Sequence, residues 1–290
     1  LGAAINIRPI YLVSAPAWLW LLATPGTRQF WLQRGAALAT GLALVLLPQL
    51  LINLRHFQQP TPLVLGHLPG TPPLYLKQLG WGMAFQRYET SLIPEIPRSL
   101  VFADSAGQRT LSQQPGQRFD SYIHYLRFTL HQPLQTSGRY LKHLFNGLDI
   151  WFPTPYPTRL HPTGQAVLRL LNYALLGLGF WLMAGLARSN KPFSGNSAQR
   201  RNARATVLAL VLPCLLVMPI LVECRFLLPL HLLLLTVVAG SWQPVASWRN
   251  MGMRWRMGIA AVSFFWLLGC WQASEATAGQ LRPPSEAPQE

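Results

Sequence analysis

An all-α, polytopic membrane fold with one large extracytoplasmic loop containing amphipathic helices is what this sequence predicts, and three observations predict it. Half of its 290 residues are hydrophobic and only 11% are Asp, Glu, Lys or Arg, where a soluble domain carries about 25%. Such a chain cannot cover a globular surface with charge. The apolar residues are gathered in long runs, several of them long enough to cross a bilayer. The basic residues, 24 against 9 acids for a formal net charge of +15, fall in short segments between those runs. Nucleic-acid binders instead cluster basic residues with aromatics on a polar face. The lipid bilayer is therefore the expected partner, and nucleic acid is not.

Six apolar runs follow one another: Ile10 to Ala23, Gly35 to Leu54, Ala166 to Ala187, Ala205 to Val222, Phe226 to Gly240 and Gly258 to Trp271. Ahead of them, Leu1 to Ile7 is only about 10 Å of helix at 1.5 Å per residue, so the chain is expected to begin inside a helix. Its organisation reads as spanning helices over 1–54, the first truncated, an extracytoplasmic loop over 55–165, spanning helices over 166–272, and a tail over 273–290. That tail has few apolar residues and reads as disordered. Glu223, Cys224 and Arg225 interrupt the apolar sequence. A helix running through them would hold two charges at mid-membrane, at about 2.5 kcal/mol or more each, so a hairpin at the surface is predicted instead.

Orientation follows from Lys and Arg in the short loops. Thr27 to Arg34, Arg188 to Arg204 and Ser241 to Met257 carry basic residues and no acid, and alternating spans put all three on one side. The long loop, the Glu223 hairpin and the tail share the other side with all nine acids. This places the basic loops in the cytoplasm, in a bacterial inner membrane. Within the outer loop, Phe119 to Leu130 and Leu134 to Leu148 space Tyr122, Leu126 and Leu130, then Leu141, Leu144, Phe145 and Leu148, at helical intervals. These helices either lie in the interface plane or pack on the rest of the loop. Trp151 to Thr163 holds four prolines and reads as extended chain.

Cys214, Cys224 and Cys270 show no paired spacing, so neither a disulfide framework nor a zinc site is indicated. Six histidines in the loop, His56, His67, His124, His131, His143 and His161, match no ligand spacing. No cofactor is evident, although divalent-metal dependence stays open.

Four patches carry a family resemblance: LGAAINIRP at Leu1 to Pro9, PQLLINLRHFQQPTPLV at Pro48 to Val64, HLFNGLDIWFPTPYP at His143 to Pro157, and ECRFLLPLHLLLL at Glu223 to Leu235. In order and character the chain resembles membrane glycosyltransferases of the C-type fold, the superfamily of dolichyl-phosphate-mannose-dependent protein mannosyltransferases and bacterial lipid A aminoarabinose transferases. The resemblance implies transfer of a sugar from a polyprenyl-phosphate donor to an acceptor at the extracytoplasmic face. It also implies a catalytic carboxylate in a first outer loop, which would lie upstream of Leu1, so no catalytic residue is assigned and these residues alone are expected to be inactive.

Arg8, at the outer end of its helix, either grips a lipid phosphate bidentately or snorkels to the headgroups. Arg225, with Glu223 as its orienting partner, is the second phosphate candidate; its alternative is a solvated turn. Asp149, just before the proline-rich segment, and Tyr156, within it, carry groups able to bind sugar hydroxyls, against the plainer reading of a loop aspartate and a packed tyrosine. A polytopic transporter, a non-enzymatic membrane protein and a polysaccharide polymerase are the competing functions. Transporters place broken helices and ionisable groups at mid-membrane, whereas the apolar runs here carry almost no charge.

Overall fold

The computed structural model of the chain describes residues 9–22, 28–65, 72–90, 99–151, 161–188, 197–220, 222–241 and 252–282. These residues are mostly helical and form two compact units, Leu1–Tyr75 with Lys191–Leu216, and Leu76–Asn190 with Val217–Glu290. The second unit joins most of the long loop to helices that follow it.

In the first unit, a 3-10 turn at Pro9–Ser14 leads into α1 (Ala15–Leu22), and α2 (Arg28–Phe57) follows. Past its end the chain doubles back, and the buried Asn53 amide donates to the carbonyls of Thr61 and Leu63 at 2.7 and 2.8 Å. Asn53 thus fixes the chain leaving the helix. The fourth helix counted from the sequence, α8 (Ser197–Val217), belongs mainly here, and Ser14 Oγ donates to its Ala209 carbonyl at 2.8 Å. It starts earlier and ends sooner than the expected Ala205 to Val222, and its basic first half keeps it out of the membrane-length apolar class.

The second unit opens with α3 (Leu74–Ala84), which runs directly into β1 (Phe85–Thr90). With β2 (Ser99–Ala103) and β3 (Leu281–Arg282) it makes an antiparallel sheet of order β1-β2-β3, a correction to the all-α expectation. The register pairs Arg87 with Phe102 and Val101 with Arg282, with a bulge between Phe85 and Arg87. Strands this short leave too little alternation to separate them from helix or loop in the sequence. Next comes α4 (Ser105–Ser112), capped by Asp104, whose carboxylate accepts from the Ala106 and Gly107 amides at 3.1 and 3.0 Å. A Cβ on Gly107 would run into the Met83 carbonyl, so only glycine lets α4 lie this close to the end of α3.

Helices α5 (Tyr122–His131) and α6 (Pro133–Leu148) stand where the loop helices were expected. Ser121 caps the first, and Pro133 opens the second at a position where no amide is required. From α6 the chain passes to α7 (Pro162–Arg188); later come a hairpin with a 3-10 turn at Cys224–Leu227, α9 (Leu228–Ser241) and α10 (Met253–Ala278). Gly177 and Gly179 open the flank of α7. A Cβ there would stand 2.7 Å from Trp266 Nε1 and 3.0 Å from Leu234 Cβ, so α10 and α9 pack closely through small-residue positions.

Among the described residues, three helices are long and apolar enough to cross a membrane, over Gln29–Phe57, Pro162–Gly185 and Met253–Ala278, and two shorter apolar ones cover Ile10–Leu21 and Arg225–Gly240. The helix over Met253–Ala278 is longer than the expected Gly258 to Trp271 at both ends. The tail is also corrected as far as it is described. Helix α10 continues to Ala278 with Ser274 and Thr277 buried, and Leu281–Arg282 then joins the sheet beside β2. Polar Ser and Thr misled the reading because they are buried here against polar partners. Residues 283–290 lie outside the described residues, as does most of the proline-rich segment, 152–160.

Candidate functional site

β1 buries Phe85, Arg87 and Glu89 on one face, since residues two apart on a strand point the same way. Arg87 Nε therefore meets Glu89 Oε1 at 2.7 Å, and its terminal nitrogens reach across to the end of α6, Nη1 to Asp149 Oδ2 at 3.0 Å and Nη2 to the Asp149 carbonyl at 2.7 Å. Asp149 also accepts from Tyr173 of α7 at 2.9 Å and from Ser274 of α10 at 2.6 Å. Four elements, β1, α6, α7 and α10, converge on this one fully buried carboxylate. The expected sugar-facing loop aspartate is thus a junction, with both oxygens engaged by protein donors. A buried carboxylate without such donors would be neutralised or expelled.

Neighbouring polar groups complete the junction. The last carbonyl of α6, Leu148, accepts from Asn172 Nδ2 at 2.8 Å and from His231 Nε2 at 3.0 Å, which satisfies a helix end that would otherwise be orphaned. Asn146 donates to the Gln86 carbonyl and accepts from Thr277, tying α6 to β1 and α10. Arg169 of α7 lies 3.9 Å over the Trp271 ring and pairs with Glu275 at 2.8 Å; its Nη2 is buried with no hydrogen-bond partner. On the other flank of α6, Nδ1 of buried His143 donates to the Met218 carbonyl at 2.7 Å, and its Nε2 has no partner.

A second cluster faces outward. The Tyr88 amide donates to the Val222 carbonyl at 3.0 Å, which clamps the hairpin to β1. Beside that clamp, Thr90 donates to Glu223 Oε1 at 3.0 Å, and Glu223 Oε2 holds Arg225 Nε at 2.6 Å. Glu223 is buried while the Arg225 side chain is 46% exposed. Arg225 is thus a fixed guanidinium at the start of α9, and its two terminal nitrogens have no partner among the described residues. Chemically this is an oriented fork for an anionic group with two oxygens.

Of the residues singled out from the sequence, Glu223 and Arg225 are brought together, and Asp149 is placed apart from them in the buried junction. Arg8 and Tyr156 lie outside the described residues. Sequence reasoning missed Arg87, Thr90, Tyr173 and Ser274. Arg-x-Glu in FQRYET was the available signal, because a strand places that pair on one face. Among the described residues, no three His, Cys, Asp or Glu side chains converge as a metal site. Compared with known proteins, the chain matches no family model, no curated protein and no solved structure.

Proposed function

We propose that this chain spans a membrane and takes part in sugar transfer from a polyprenyl-phosphate donor at its extracytoplasmic face. The observation that carries the proposal is Arg225, an exposed guanidinium anchored through Nε by buried Glu223 at the outer end of an apolar helix. Such a fork suits a lipid-linked phosphate, because it offers two parallel donors and is already oriented before the ligand arrives. Support for the sidedness comes from the second unit. The loop, the hairpin and the tail, which charge patterning puts on one side, are joined by the Tyr88–Val222 hydrogen bond and the β2–β3 pairing.

The test is affinity for a polyprenyl monophosphate, measured in nanodiscs for wild type, Arg225→Ala and Arg225→Lys. A charge-assisted contact contributes about 1.5 to 3 kcal/mol, so Ala should weaken binding roughly ten-fold or more. Lys should restore part of it, since an ammonium keeps the charge and loses the planar fork. Equal affinity of wild type and Arg225→Ala would overturn the phosphate role. Arg8→Ala is the parallel variant for the other phosphate candidate of the sequence.

A further inference from the structure

Helix α6 turns several polar residues inward while leaving two of its leucines exposed. Thr136, His143 and Asn146 are buried, whereas Leu134 is 88% and Leu141 63% exposed. Its partner α5 buries no residue at all and exposes Ile123, Leu126 and Leu130. In water a helical hairpin hides leucine and shows asparagine and histidine; lipid reverses that preference. The pair is also firmly held, by the 2.6 Å hydrogen bond between the Tyr125 and Tyr140 hydroxyls and by the Asp104–Arg139 contact at 3.5 Å. The exposed leucines therefore belong to a defined surface.

Two further observations say what covers it. Leu148, the last residue of α6, is hydrogen-bonded to Asn172, ten residues into α7 and so about 15 Å along that membrane-length helix from its start. The end of α6 thus lies alongside a helix of spanning length and apolarity. Charge is the second. From Ser121 to Leu148 there is no acid, while Arg127 and Lys142 are exposed. Two copies of the chain meeting through this face would bring four cations together with no carboxylate from these helices to offset them, whereas phospholipid headgroups supply the missing anions.

We infer that α5 and α6 lie in the outer-leaflet interface of the bilayer, with the exposed leucines at the acyl boundary and Arg127 and Lys142 on lipid phosphates. The inference rests on the membrane-spanning part of the proposed function and not on sugar transfer.

The experiment uses the full chain in nanodiscs of phosphatidylglycerol and phosphatidylcholine, with Cys214, Cys224 and Cys270 replaced by alanine. Single nitroxides are placed at Leu126→Cys, Leu134→Cys and Leu141→Cys. Leu171→Cys, exposed on α7, reports the lipid environment, and Gln113→Cys, exposed after α4, reports water. Collision with oxygen is compared with collision with a water-soluble nickel chelate. The three interface labels should show an oxygen-to-nickel ratio several-fold above that of position 113 and close to that of 171. If they behave like 113 while 171 reports lipid, the interface assignment is wrong and the membrane reading stands. If 171 also reports water, both fail. Dipolar broadening between labels on separate copies would identify a second chain as the occupant and overturn the inference. None of these substitutions removes a buried hydrogen bond of α5 or α6, and matched thermal unfolding confirms that each variant is folded.

Discussion

At the scale of single residues, His143 shows how a neutral polar group is kept inside the protein. Burial is the main influence on its imidazole and pushes its pKa below the ordinary 6.5. The Met218 carbonyl, which accepts from Nδ1, opposes that shift, as do the Phe85 carbonyl and the Asp104 carboxylate, while the Arg139 cation adds to it. Nε2, the nitrogen left for an added proton, makes no hydrogen bond among the described residues. Because the folded pKa is depressed, His143 leaves stability unaffected above about pH 6.5. Stability is then lost as the pH falls below the unfolded value toward the folded one. Thermal unfolding in detergent between pH 8 and 5 should therefore fall more steeply on the acid side for wild type than for His143→Gln. Superimposable pH profiles would show that this residue does not couple folding to protons. Nothing in the sequence marked His143 apart from the five other loop histidines, since what distinguishes it is the carbonyl and the closed space around it.

At the scale of elements, the junction at Asp149 decides how the loop is attached to the helices that leave it. Asp149→Ala removes the carboxylate that accepts from Arg87 Nη1, Tyr173 and Ser274 together, while Glu89 and the main-chain carbonyl of residue 149 still hold Arg87 Nε and Nη2. Losing one carboxylate from such a buried network costs up to about 3 to 5 kcal/mol. Asp120 pairs with Arg118 at 3.6 Å on the surface, and Asp120→Ala should cost less than about 1 kcal/mol. Denaturation of both variants in the same detergent checks the contrast; comparable losses would show that the junction does not hold these elements together. Helical spacing made α5 and α6 legible in advance, because leucines at three- and four-residue intervals need no tertiary context. The sheet was not legible. β1 carries Arg87 and Glu89 inward, and inward charge reads as exposed chain until Asp149, contributed by the end of α6, is known to meet it. The inward Ser274 and Thr277 concealed the end of α10 for the same reason.

At the scale of the whole molecule, sidedness ties the charge pattern to the packing. Helix α10 is about 39 Å long at 1.5 Å per residue. It begins beside Arg254 and Arg256, and its far end enters the folded loop through Ser274, Thr277 and β3. A span with basic residues at one end and the acid-bearing module at the other is oriented by the same rule that orients the short loops. The orientation proposed from the charge pattern puts the module outside. Cysteine labelling in intact cells tests this within the second unit alone. Gln113→Cys, exposed just after α4, should react with a membrane-impermeant maleimide, while Arg254→Cys should react only after permeabilisation. Reaction at position 254 and protection at 113 would invert the topology, and Arg225 would then face the cytoplasm, where a donor phosphate presented at the outer leaflet could not reach it.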